Sequence, residues 1–222
     1  MHAVLWDMDG VLVDSEPLWT IAEVELAREL GGEWTDEVKA LVVGTRLDVS
    51  VPTILRFYGA PDGPGDVARA AAFLLDRMVE LYAGEPVLMP GAGELLAEVR
   101  GAGIPVALVS SSYRALVDSV LAAGVGPFDL TLAGDEVTHA KPHPEPYLTA
   151  AERLGVDPAG CVVVEDSPSG VAAGLAAGCA VLGVPSLAPL AAAPGLVLRD
   201  TLEGLAVADL ERLLLDRAAA SR

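Results

Sequence analysis

Cations, aromatics and cysteines are all scarce in this 222-residue chain. Lys and Arg number 14 against 32 Asp and Glu, giving a formal net charge of −18. A surface of that sign repels nucleic acid and anionic lipid, so neither is expected as a partner. It also repels anionic metabolites, so any phosphate site needs local cations. The two cysteines, Cys161 and Cys179, lie in apolar stretches and are expected as buried free thiols, which suits a reducing cytoplasm. Aromatics make up 5% of a chain that is 52% hydrophobic, so the apolar content is mostly Ala, Val and Leu and suits tight packing of helices on a sheet. A long uninterrupted apolar run is missing as well. Mean hydropathy is +0.46 and the stretch from Ser169 to Leu198 carries no charge, but Gly174, Gly178, Gly183, Pro185, Pro189 and Pro194 break it too often for a spanning helix. No secretory signal is expected ahead of Asp7.

What the chain does contain is a rhythm of short apolar runs. Ala3 to Trp6, Pro105 to Val109, Leu130 to Ala133, Cys161 to Val164 and Ala180 to Val184 read as buried strands, and helical spacing fills the later intervals. Strand and helix in alternation predict a Rossmann-like α/β fold, a doubly wound parallel sheet with helices on both faces. The segment from Ser15 to Gly84 breaks the rhythm with four helical stripes and no strand. Leu18 to Leu30 forms the first and Trp34 to Val42 the second; Pro52 is expected to open the third, and Val67 to Leu81 forms the fourth. A core domain of residues 1–14 and 85–222 with an inserted all-helical cap of residues 15–84 follows.

Polar residues collect at the carboxyl ends of these strands, the edge at which open parallel sheets bind ligands. The first ends in Asp7 and Asp9, the second in Ser110, Ser111 and Ser112, and the fourth in Glu165, Asp166 and Ser167; Lys141 lies in the connection between the third and fourth. Of the 14 basic residues 12 are arginine, and Lys39 and Lys141 are the only lysines, so Lys141 reads as a compact point charge chosen for its place. Each pair of like charges about 4 Å apart costs about 4 kcal/mol at an effective dielectric of about 20. The acidic residues therefore call for a hard divalent cation, Mg²⁺ by preference. Ser110, Ser111 and nearby backbone N–H groups can hold phosphate oxygens, with Lys141 balancing further charge. Together these predict a phosphoryl-transfer site.

The ordered motifs "DMDG", the strand ending in serine, Lys141-Pro142 and "EDSPSG" resemble the haloacid dehalogenase superfamily of phosphatases. The insertion after the first motif is similar to the cap of the subgroup that includes β-phosphoglucomutase, phosphoglycolate phosphatase and sugar and sugar-alcohol phosphatases. The resemblance implies Asp7 as nucleophile, Asp9 as general acid and base, and Ser110 and Lys141 as phosphate contacts. It implies Mg²⁺ held by the Asp7 side chain, the Asp9 carbonyl and Asp166, with Glu165 a ligand or the partner of a bound water. Dehalogenases of the superfamily lack the second aspartate, so Asp9 argues against dehalogenation. Phosphonate-cleaving members use a cap lysine, whereas Lys39 is expected to be a solvated charge. The mutases carry a histidine where Trp19 stands, and Ser-Lys-Asn where this chain has Ser112, Tyr113 and Arg114. "DSEPLW" and "GTRLD" look most like bacterial phosphatases of deoxysugar and sugar-alcohol phosphates, with Arg46 expected to meet substrate as the cap closes or else to be solvated on a helix end. Trp19, Glu16 and Trp34 are candidates for the cap face, with core packing the alternative for the tryptophans. His139 and His143 are expected to be structural or solvated. The expected activity is Mg²⁺-dependent hydrolysis of a small phosphorylated metabolite by a monomer; a sugar-phosphate mutase and a phospho-accepting signalling domain are the alternatives.

Overall fold

The computed structural model describes residues 1–42, 45–84 and 86–220. Gly44 of "GTRLD", Glu85 at the expected return into the core and Arg222 at its end lie outside them. The predicted apolar runs form strands of one sheet: β1 (Ala3–Trp6), β2 (Val106–Val109), β3 (Leu130–Leu132), β4 (Cys161–Glu165) and β5 (Ala180–Gly183). A sixth, β6 (Leu196–Leu198), was not foreseen; it is only three residues long and follows the Pro- and Ala-rich stretch that reads as loop. The order is β3-β2-β1-β4-β5-β6, and every pair is parallel. All residues of β1, β2, β4 and β5 are buried, which is why these strands read as continuous apolar runs and not as alternating ones.

Between β1 and β2 lie α1 (Glu16–Glu29), α2 (Asp36–Val42), α3 (Leu47–Phe57) and α4 (Pro64–Tyr82). They are followed by α5 (Ala92–Gly101), α6 (Arg114–Ala122), α7 (Glu145–Leu154), α8 (Pro168–Ala176) and α9 (Val207–Ala220). Val4, Trp6, Leu108 and Val164 face Val99 of α5, Val120 of α6 and Leu210 of α9. Leu5, Val109 and Val163 face Ala150 of α7 and Ala173 of α8 on the other side. The sheet is thus doubly wound, with the all-helical insertion leaving from the end of β1.

Pro52 does not open α3 but sits inside it. The helix starts at Leu47, with Ser50 N–H already bonded to the Arg46 carbonyl at 2.8 Å, so the proline withholds one donor in the second turn, from the carbonyl of exposed Asp48. Buried Leu47, Val51, Ile54 and Leu55 hold the helix despite that loss.

The segments into and out of the insertion run side by side. Asp14 N–H donates to the Val87 carbonyl at 2.8 Å and Met89 N–H to the Leu12 carbonyl at 2.9 Å, with an antiparallel bridge between Val13 and Leu88. Cys161 and Cys179 are free and buried. No described helix is long and apolar enough to cross a membrane.

Leu108 is wholly buried in β2 beside the central strand. Leu108→Ala should cost about 2–5 kcal/mol, read as a lower urea midpoint at unchanged m-value. A loss below about 1 kcal/mol would contradict the close packing of this face.

Candidate active site

The order of the strands places a reversal between β1 and β4, the crevice where an open parallel sheet gathers ligands. Asp7 follows β1 and stays tied to the sheet through its N–H, which donates to the Val164 carbonyl at 3.0 Å. The chain then coils: Leu12 and Val13 N–H groups both return to the Met8 carbonyl, while Met8, Val11, Leu12 and Val13 turn inward. Gly10 makes this possible. Its φ is +78°, and a side chain there would run into the Asp166 carboxylate.

Lys141 ties the strand ends together. Its Nζ donates to Asp7 Oδ1 at 2.5 Å, to Glu165 Oε1 at 2.7 Å and to the Val109 carbonyl at 2.9 Å, so ends of β1, β2 and β4 meet on one ammonium. The Tyr147 ring lies 4.8 Å from the same nitrogen, and its hydroxyl donates to Glu165 Oε1 at 2.8 Å. Glu165 Oε2 accepts from the Asp166 and Ser167 N–H groups and the Ser167 hydroxyl. Glu165, expected among the metal ligands, thus has both oxygens engaged by protein donors. Burial opposes its charge, but Lys141 and these donors keep its carboxyl below the usual range. Burial likewise opposes the ammonium, yet Asp7 and Glu165 hold Lys141 above its usual range.

Asp7 and Asp166 are in the opposite condition. Burial, reinforced by neighbouring carboxylates and only partly offset by Lys141, raises Asp7 well above the ordinary range. Burial and Glu165 push Asp166 up to about 7, although the Ser186 hydroxyl donates to it. Ligand oxygens of Asp7, Glu165 and Asp166 lie within 4.8 Å of one another. Three buried carboxylates share one ammonium, and the shortage of positive charge fits an oxygen-liganded divalent cation.

The Asp9 carboxylate stands apart from this group. Tyr82 Oη donates to its Oδ1 at 2.9 Å, and Ser112 Oγ donates to its Oδ2 at 2.7 Å. Ser110 is buried, with its Oγ 3.5 Å from the same Oδ2 while accepting Ser112 N–H at 2.9 Å. Ser111 lines the cleft above, and its carbonyl packs so closely on Gly134 that no side chain fits there. Sequence reasoning missed Tyr82, Tyr147 and Ser186, and placed Ser112 at the polar end of the second strand without linking it to Asp9. One signal was available: Tyr82 lies four residues after Met78 and so extends the buried stripe of α4, where a phenol hydroxyl needs a partner.

A cleft of about 850 Å³ lies between the sheet edge and the insertion, lined by Asp7, Asp9, Lys141 and Asp166 below and by Glu16, Trp19, Glu23, Lys39 and Arg46 above. Lys39, expected to be solvated, lines this cleft, paired with Glu16 at 2.7 Å. Arg46 Nε is 3.4 Å from Asp48 Oδ1 and its side chain is 37% exposed, leaving it reachable from the cleft. Burial and the nearby Glu16 push the Glu23 carboxyl up to about 7. Trp34 is not on this face; it packs against the apolar core with its indole N–H buried. His139 and His143 are exposed, with ring centroids 4.6 Å apart, and do not line the cleft. Together with Glu145 they form a second group of possible ligands, but Glu145 is occupied by the N–H groups of Thr138 and His139, and His143 Nδ1 accepts the Glu145 N–H.

In metal-free protein the folded state binds protons on Asp7 and Asp166 that the unfolded chain releases, so stability should rise as pH falls from 8 through about 7. The urea midpoint measured with EDTA present should show this slope, Asp166→Asn and a saturating divalent cation should each reduce it, and the raised Glu23 carboxyl should leave a remainder of the same sign. A flat wild-type profile with EDTA would count against these raised carboxyls.

Residues 1–178 match the family model for haloacid dehalogenase-like hydrolases. Hexitol phosphatase B of Escherichia coli (strain K12) is 34% identical over 187 residues, covering 83% of each chain. The bifunctional riboflavin kinase/FMN phosphatase of Arabidopsis thaliana is 33% identical over 187 residues, 83% of this chain and 48% of that longer protein. CbbY from Rhodobacter sphaeroides, solved in complex with phosphate, superimposes with a TM-score of 0.83 at 31% identity over 95% of this chain and 99% of that chain. A mutant of the same protein has been solved in complex with xylulose-(1,5)bisphosphate. With its parallel sheet, inserted helices and acidic crevice, this chain belongs to the haloacid dehalogenase-like hydrolase family.

Proposed function

We propose that this chain is a Mg²⁺-dependent phosphatase that hydrolyses a small phosphomonoester, a sugar or polyol phosphate, through an aspartyl-phosphate on Asp7. The observation that carries the reading is the position of Asp7, which lines the cleft at the end of β1, bonded to Lys141 and beside Asp166. Hexitol phosphatase B and the phosphate complex of CbbY support the same class of substrate.

Asp7, the Asp9 carbonyl and Asp166 would hold Mg²⁺, with Glu165 acting mainly through Lys141. When bound, the ion offsets the charge shared by the carboxylates and the phosphate dianion, so that Asp7 is ionised and can approach it. Asp7 attacks phosphorus; the bond to the ester oxygen breaks as Asp9 gives that oxygen a proton. Asp9 then takes a proton from water, whose oxygen attacks the phosphorus of the acyl phosphate, releasing inorganic phosphate and free Asp7. Lys141, Ser110 and Ser111 hold the phosphate oxygens through charge and hydrogen bonds.

The cleft argues for a neutral remainder on the substrate. Asp14, Glu16, Glu23 and Asp48 line it against Lys39 and Arg46, and Lys39 is already paired with Glu16. Carboxylates accept hydrogen bonds from hydroxyl groups and repel a second phosphate. Residues 15–84 act as a cap on a core of residues 1–14 and 85–222, bending at the paired linkers to exclude water, with Arg46 carried toward the substrate. Trp19, in the cleft at the place where the mutases carry histidine, supports hydrolysis over isomerisation.

Phosphate release from a panel of sugar, polyol, glycolate and nucleotide phosphates should be greatest with a polyol or sugar monophosphate and should stop on chelation and return with Mg²⁺. Asp7→Asn should lower turnover on the order of a thousandfold or more with circular dichroism unchanged; full activity would overturn the nucleophile. Glucose 1-phosphate converted to its 6-phosphate without phosphate release would instead establish the mutase.

A further inference from the structure

We infer that Tyr82 is a positioning residue for proton transfer, fixing the Asp9 carboxylate from the last turn of the helical insertion. The inference rests on the reading of Asp9 as general acid and base and adds a residue to it. Tyr82 ends α4, fully buried, and its hydroxyl donates to Asp9 Oδ1 at 2.9 Å. It thus runs a hydrogen bond from the insertion directly to a carboxylate at the sheet edge, 73 residues away in sequence.

The two oxygens of Asp9 are held differently. From a buried ring the Tyr82 hydroxyl donates to Oδ1 at 2.9 Å, which fixes that oxygen as an acceptor. Oδ2 faces the hydroxyls of Ser112, at 2.7 Å, and Ser110, at 3.5 Å. A serine hydroxyl can accept as readily as it donates, so Oδ2 can carry a proton without leaving any group unpaired. Tyr82 thereby reserves Oδ1 as the acceptor and leaves Oδ2 to give its proton to the leaving oxygen and later to take one from water. With Tyr82 shut off from solvent, no water can replace its hydroxyl without rearrangement.

The test is the dependence on the leaving group. Departure of an alkoxide from sorbitol 6-phosphate needs the proton, whereas p-nitrophenolate departs without one. Tyr82→Phe should lower kcat/KM for sorbitol 6-phosphate by about 10–100-fold, mostly in kcat, and for p-nitrophenyl phosphate by less than about threefold. Asp9→Asn, assayed in parallel, should show the same contrast more strongly. If Tyr82→Phe fails to fold, Tyr82→Met, which also removes the hydroxyl at Oδ1, takes its place and should discriminate between the esters in the same direction. A contrast in Asp9→Asn with equal loss, or none, in the folded anchor variant overturns the role of Tyr82. No contrast in Asp9→Asn overturns the reading of Asp9 itself.

Discussion

One buried ammonium organises this molecule. Lys141 holds the end of β1 through Asp7, the end of β2 through the Val109 carbonyl and the end of β4 through Glu165, inside a protein that has only one other lysine. Removing charge from water is costly unless it is paired and hydrogen-bonded, and here each donor of the ammonium has an acceptor. The same cation leaves the acidic cluster underneutralised, with Asp7 and Asp166 raised and Glu165 lowered. The site is therefore held together and still short of positive charge.

Around that contact the carboxylates divide into two environments. The carboxylates of Asp7, Glu165 and Asp166 lie together, whereas that of Asp9 is bracketed by the hydroxyls of Tyr82 and Ser112. Separate environments are how neighbouring acids come to play separate parts at one pH. Small residues make the closer of the two groupings possible: Gly10 clears space for Asp166, and Gly170 clears it for Glu165 where that side chain meets the start of α8.

Much of this was legible in the residues. Strands buried on both faces have no choice but to be apolar throughout, so β1, β2, β4 and β5 stood out, and the polar clusters at their ends marked the sheet edge. Six of the acidic, serine and lysine positions drawn from the motifs, Asp7, Asp9, Ser110, Lys141, Glu165 and Asp166, converge there. β6 escaped because three residues carry little periodicity, and Pro52 misled because burial of α3 outweighs one missing donor. Tyr82 and Tyr147 were hidden for a different reason. Each sits in an ordinary apolar stripe, and only the fold reveals which carboxylate its hydroxyl meets. The polar wall of the cleft was partly read, through Glu16, Trp19 and Arg46, but Glu23 and Lys39 required two helices to be set side by side.

The place at which the insertion leaves the sheet has a consequence for how the chain folds. β1 is central, yet Val4 pairs with Val106 on one side and Val162 on the other, so neither partner has emerged when β1 is made. Helices α1 to α4 instead find contacts among themselves within the intervening segment. Closing a long loop costs entropy before its contacts reward it, so local helical pairing outpaces the first β pairing. The paired linkers at Leu12 to Asp14 and Val87 to Met89 then bring the two ends of that helical unit together. Sequence separation thus favours folding of the helical segment ahead of the pairing of the most interior strand.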